Sequence, residues 1–253
     1  MAKPLIIANW KANPDSAVRA VVLAKKIEQA ARAAPKVEVV IAPPSPFLFS
    51  IGHILRRTKL GAQNVFWEDL GPYTGEVSWR QLKHLGVQYV IIGHSERRRY
   101  LEETDEMINK KVLATLDHGL IPVLCVGEWE RSGNEIPAVV GEQLKRALKR
   151  VEPSRMKNLV VAYEPVWAIS TNPGARADTP DSAFRALVYL RRLLASLCSR
   201  RAAEAVRIIY GGSVNAQNIY PFLKEGKMQG ALVGGASLFP QEFAKIVVRA
   251  SDT

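Results

Sequence analysis

LVVAYEPVW, residues 159–167, decides the fold. Its first four residues are apolar without alternation, the pattern of a strand covered on both faces, as in a parallel sheet. The run ends on a carboxylate, Glu164, followed by Pro165. Proline has no N–H to give to a ladder, so the strand is expected to stop at the acid, which then projects from its C-terminal end. The polar segment AISTNPGARADTP follows, with Asn172-Pro173-Gly174 as the turn at the tip of a long loop. A carboxylate beneath a long loop is the arrangement of a base under a lid. Taken alone, it is also what an acid paired with a cation at a sheet edge looks like.

Outward from this strand, short apolar runs recur about every 30 residues, with helical patterns between them, which argues for a parallel sheet. The runs are 5–9, 37–42, 60–64, 89–93, 121–126, 159–164, 207–210 and 230–233, and the helical patterns include 17–34, 104–118, 139–151 and 181–201. Eight such runs are the number that closes a (β/α)8 barrel, a fold of about 250 residues that takes up nearly all of this chain. No Ser/Gly linker or shift in composition divides the 253 residues. One α/β domain over 1–253, a closed eight-stranded parallel barrel, is therefore expected.

The formal net charge is +11, with 47% apolar residues. The basic residues come as pairs (Arg56 and Arg57, Arg191 and Arg192, Arg200 and Arg201) spread along the chain among acids, the pattern of solvated helix faces. No aromatic-rich basic strand or recognition helix accompanies the charge, so no nucleic-acid partner is expected; the field can still steer an anionic substrate. No apolar run approaches the roughly 20 residues of a membrane span, and MAKPLIIANW is too short and too polar at its end for a signal peptide. A soluble, cytoplasmic protein is expected. Cys125, in an apolar run, and Cys198, in a helical pattern, fit buried or half-buried thiols better than a disulfide framework.

Chemistry-bearing residues collect at the strand ends. The first strand ends in Asn9-Trp10-Lys11, which places an amide and an ammonium at the rim. The fourth ends in Gly93-His94-Ser95-Glu96, where a histidine at a helix start feels the positive end of the dipole and is kept neutral. The seventh and eighth end in Gly211-Gly212-Ser213 and Gly234-Gly235, whose freed N–H groups can cradle a phosphate. Singly, Lys11 is also a surface lysine, His94 a structural cap and each glycine pair a tight turn. Jointly, at one end of one barrel, they describe a base, a neutral electrophile and an anion site. That set implies proton abstraction beside the carbonyl of a phosphate ester.

These residues stand in motifs. ANWKAN at 8–13, AQN at 62–64, TGE at 74–76, IIGHSERR at 91–98, CVGE at 125–128, YEPVWAI at 163–169, YGGSV at 210–214 and GALVGGASL at 230–238 follow one another along nearly the whole chain. In that order they closely resemble the triosephosphate isomerase family. IIGHSERR and YEPVW together are specific; a glycine pair alone is not.

The resemblance implies an aldose–ketose isomerase of glycolysis and gluconeogenesis that interconverts dihydroxyacetone phosphate and D-glyceraldehyde 3-phosphate through an enediolate. By similarity Glu164 is the base, and neutral His94 polarises the carbonyl and shuttles protons. Lys11 supplies positive charge, Asn9 holds the carbonyl side, and Glu96 is the carboxylate behind Lys11 and His94. Ser170, Ser213, Gly234 and Gly235 match phosphate contacts. Glu128 matches the acceptor of the Trp167 indole N–H, and Tyr210 the residue that grips the closed lid. No metal and no organic cofactor is implied. The family is homodimeric, its third loop, here 65–73 with Phe66, Trp67 and Tyr73, docking into the partner so that Thr74 approaches Asn9 and Lys11. By the same resemblance, base, neutral histidine and closing loop act together as one tuned acid–base site.

The chain departs from the pattern at the lid. Ser170 stands where most members have glycine, and STNPGARAD is about three residues longer than usual, so closure is questioned more than chemistry. Ala12 and Gln229 are smaller departures, read as packing or surface changes. Another phosphate-binding barrel enzyme would keep the glycine pairs but has no reason to keep GHSE and YEPVW together. A catalytically idle barrel remains open if the altered lid cannot close.

Overall fold

The computed structural model describes residues 3–253. Eight strands, β1 (Leu5–Asn9), β2 (Glu38–Ala42), β3 (Lys59–Ala62), β4 (Val87–Ile92), β5 (Ile121–Glu128), β6 (Val160–Pro165), β7 (Arg207–Tyr210) and β8 (Gly230–Val233), pair in sequence order, all parallel. The barrel closes through β1 and β8, with Leu5 opposite Gly230 and Ala8 opposite Val233. Helices fill the crossovers, the longest being Ala17–Ala33, Asp105–Asp117 and Pro180–Leu197.

Period-two alternation explains why these strands are apolar on both faces. Leu5, Ile7, Val40, Tyr89, Ile91, Val123, Cys125, Val160, Ala162, Ile209 and Leu232 fill the barrel interior. The intervening residues, among them Ile6, Ile41, Val90, Leu124, Val161 and Ile208, pack under the helices. The same parity assigns the strand ends. Val160 and Ala162 point inward, so Glu164 does too; Leu5 and Ile7 point inward, so Asn9 does too. At the opposite end Glu38 and Arg207 continue the inward rows of Val40 and Ile209.

Element boundaries moved where side chains intervene. The strand expected to stop at Glu164 extends to Pro165, which pairs with Glu128 on β5, because the last residue of a strand needs no N–H for the ladder. The helical pattern 181–201 divides at Cys198: Ser199 caps a second helix, Arg200–Ala205, by accepting from the Ala202 N–H. Gln229, half-buried, packs as a connector: its side-chain oxygen accepts from the Ile208 N–H at 3.0 Å and from Arg191 at 3.1 Å. Both cysteines are free thiols, Cys125 buried and Cys198 half-buried. Among the described residues no helix is long and apolar enough to cross a membrane.

An ion cluster plugs the N-terminal end of the barrel. Glu38 accepts from Lys59 at 2.6 Å, from the Tyr89 hydroxyl at 2.6 Å and from Arg207 at 2.5 Å. Burial pushes its carboxyl up, but these three donors outweigh burial and hold it at about 2. Burial, and then Glu38, push the Tyr89 phenol up, so it stays a donor. Because the folded carboxyl lies below its ordinary value, its stabilisation is complete above about pH 4.5 and is lost as pH falls toward 2. Glu38→Gln is predicted to cost about 2–3 kcal/mol at pH 7. Urea unfolding should show the variant and parent far apart at pH 7 and converging near pH 2.5.

Candidate active site

The inward residues at the C-terminal ends of the strands meet around a cavity of about 280 Å³, whose wall includes Asn9, Lys11, His94, Ser170, Ser213 and Gly234. Gly235 also borders it. All the expected phosphate contacts therefore face one space with the expected amide, ammonium and imidazole. Glu164 lies just behind this wall, 2% exposed.

Glu164 is held by one strong bond. Its Oε2 accepts from the Ser95 N–H at 2.9 Å, whereas Oε1 is buried without a hydrogen bond and lies 3.2 Å from His94 Nε2. A buried acceptor left unpaired costs about 1–3 kcal/mol, so this carboxylate is poised for a new partner. Gly211 supports it by absence: a β-carbon there would come within 2.9 Å of Glu164 Cγ. His94 caps the helix Ser95–Tyr100, its Nδ1 accepting from the Glu96 N–H at 3.2 Å. That bond requires an unprotonated Nδ1, so the ring's hydrogen sits on Nε2, the nitrogen 3.2 Å from Glu164 Oε1 but not aligned to bond it.

Lys11 is held from three sides. Its backbone is left-handed, φ 52°, a conformation costing a residue with a β-carbon roughly 1–3 kcal/mol. The Lys11 N–H donates to Asn9 Oδ1 at 3.1 Å, and Gln63 Nε2 donates to the Lys11 carbonyl at 2.9 Å. The ammonium forms a 2.5 Å ion pair with Glu96 Oε1, while Glu96 Oε2 lies 3.8 Å from His94 Nδ1. Glu96 thus stands behind both groups. Gly234 lets Lys11 lie close, since a β-carbon there would reach 3.3 Å from Lys11 Cε.

The lid is pinned along its length. Trp167 Nε1 donates to Glu128 Oε1 at 2.9 Å, and the Tyr163 hydroxyl donates to the same oxygen at 2.7 Å. Arg131, buried, pairs with Glu128 at 2.8 Å and donates to Ser182 Oγ at 2.8 Å. The Ser170 N–H donates to Ser213 Oγ at 2.7 Å, so two expected phosphate donors are joined; Ser213 keeps its own O–H to give. In the lid tip, the Arg176 guanidinium lies over the Trp167 ring, 4.6 Å from its centre, and donates to the Arg131 carbonyl at 2.6 Å. Tyr210, whose phenol is pushed up by burial and by Asp178, donates to Asp178 Oδ2 at 3.1 Å.

Sequence reasoning named nine site residues, and the structure brings all of them around the one mouth. It missed the Ser95 N–H, Gln63, Arg131, Arg176 and Asp178. Backbone donors and long side chains that fold back leave no local pattern; only the arginine within a Gly/Pro tip offered a signal.

Strands, helices and mouth define a (β/α)8 barrel protein whose chemistry sits at the C-terminal ends of its strands. Within that class the relatives are specific. A family model described as triosephosphate isomerase matches residues 4–250, and the chain belongs to that family. It is similar to the triosephosphate isomerase of Thermoanaerobacter pseudethanolicus, 47% identical over 98% of this chain and 99% of that one. It is likewise 47% identical to that of Caldanaerobacter subterraneus subsp. tengcongensis, over the same shares. For that of Dictyoglomus turgidum the identity is 43%, again over 98% and 99%.

The stack of Arg176 on Trp167 and its bond to Arg131 are together worth about 1–2 kcal/mol of lid order. Arg176→Ala should raise the rate of limited proteolysis at the tip roughly tenfold, with Arg176→Lys between the two. Equal cleavage of all three proteins would show that the stack holds nothing.

Proposed function

We propose that this chain interconverts dihydroxyacetone phosphate and D-glyceraldehyde 3-phosphate in glycolysis and gluconeogenesis, with Glu164 as base. Membership of the family supports the reaction. One observation carries the assignment of roles: an unpaired Glu164 oxygen 3.2 Å from the protonated nitrogen of His94, at the edge of a cavity that ends in two glycine loops.

The substrate phosphate binds the N–H groups of Gly234 and Gly235, the Ser213 hydroxyl and the Ser170 N–H, its charge balanced by Lys11. Its carbonyl oxygen lies between His94 Nε2 and Lys11, near Asn9. Glu164 then leaves Ser95, turns past Gly211 into the cavity and takes a proton from the carbon beside the carbonyl. Negative charge grows on oxygen, where the His94 N–H and the ammonium stabilise it. His94 moves protons between the two oxygens, and Glu164 returns its proton to the neighbouring carbon. Glu96 positions Lys11 and His94. Lid closure excludes water and protects the enediolate from losing phosphate.

A homodimer completes this reading. Leu70 is 68% and Tyr73 38% exposed, and the half-buried Phe66 packs at a tilt against Trp67 and Tyr73, centroids 4.4 and 4.7 Å apart, so the loop presents apolar side chains at its surface. Beside Lys11 a cavity of about 380 Å³, bordered by Gln63, Glu76 and Arg97, offers a receptacle for a partner's loop and its Thr74. All these groups sit on one barrel, which supports a single domain. Two free thiols fit a reducing, cytoplasmic setting.

In a coupled assay with glyceraldehyde 3-phosphate, Glu164→Asp should lower kcat by roughly 10²–10⁴ with KM little changed. No isomerisation by the parent chain would end the reading. On dilution, activity should fall with the dimer fraction measured by sedimentation; a fully active monomer would remove Thr74 from the site.

A further inference from the structure

We propose that the N-terminal mouth of the barrel, remote from the catalytic end, binds a compact polyanion of the phosphate class. A cavity of about 330 Å³ opens there, bordered by Lys3, Arg57, Lys59, Arg207 and Glu38. That size is at the lower end of small-ligand sites. Four cations face one carboxylate, a surplus of three charges. Glu38 is already committed, with Oε1 accepting from Lys59 and Tyr89 and Oε2 from Arg207.

The other two cations have only a neutral acceptor. Lys3 Nζ and Arg57 Nη2 both donate to the Pro35 carbonyl, at 2.8 and 2.6 Å. Among the described residues, no carboxylate lies within 4.0 Å of either side chain's nitrogens. Two like charges drawn onto one oxygen repel, and a multivalent anion relieves that repulsion. Arg57 is not a loose surface arginine at its backbone, because its N–H is anchored on Glu28 Oε1 at 2.7 Å. A guanidinium fork beside two ammonium groups suits tetrahedral phosphate oxygens.

This surplus does not serve the catalytic mouth. The five residues of β1 alone span about 17 Å, twice the Debye length of ~8 Å at physiological salt. The chain thus carries a second anion site with its own ligand.

Calorimetric titration of the full chain with inorganic diphosphate, at fixed ionic strength and pH 7.5, tests this. The parent should bind one equivalent more than the Lys3→Gln/Arg57→Gln variant, or bind that equivalent at least tenfold more tightly, with equal turnover in the coupled assay. Arg57→Gln alone should show an intermediate loss. Lys25→Gln/Lys26→Gln removes the same charge from exposed positions outside the cavity and should titrate like the parent. Identical titrations of the parent and the Lys3/Arg57 variant would overturn the proposal, as would an equal loss in the Lys25/Lys26 control. Citrate, of similar charge, should bind the extra site at least fivefold more weakly; equal binding would overturn the phosphate assignment.

Discussion

The carboxylate of Glu164 is the constraint on which the site depends. It is buried, bonded through one oxygen to the Ser95 N–H, and left unpaired at the other beside His94. The unpaired oxygen lies beside His94, which borders the cavity, so the carboxylate holds a demand for a partner that the substrate can meet. The cost is met by the barrel. Parity in β6 turns the side chain inward, and Gly211 leaves room beside it. Lys11, forced into a left-handed backbone and tied to Asn9, Gln63 and Glu96, shows the same principle, with local strain held by several contacts.

Much of this was legible in the sequence. Eight apolar runs with helical patterns between them give a closed parallel barrel, because strands buried on both faces leave no alternation to hide. The residues at the strand ends were readable because Glu164, His94, Asn9 and the glycine pairs interrupt apolar runs abruptly. The break at Cys198 was hidden by an unbroken helical composition, its sign being only the Ser199 cap. The partners of Gln229, Ile208 and Arg191, are distant in sequence and so left no local sign. The Ser95 tether is a backbone N–H, which any residue but proline supplies.

The lid is a second layer of the Glu128 cluster. Glu128 gathers Tyr163, Arg131 and Trp167, and Arg176 joins from the tip by stacking on Trp167 and bonding to Arg131. The residues of the lid tip therefore make their own contacts. Ser170 uses its backbone donor on Ser213. The lid and the phosphate loop after β7 are thus joined by a hydrogen bond, which holds the lid in order.

Proton abstraction by Glu164 is tested most directly by isotope exchange. Dihydroxyacetone phosphate turned over in deuterium oxide should yield glyceraldehyde 3-phosphate carrying deuterium at C2, since a proton held on a carboxylate exchanges with solvent before it returns. Glu164→Gln should give no label above the uncatalysed rate. Product formed by the parent chain with only hydrogen at C2, or labelling undiminished in the variant, would contradict the account.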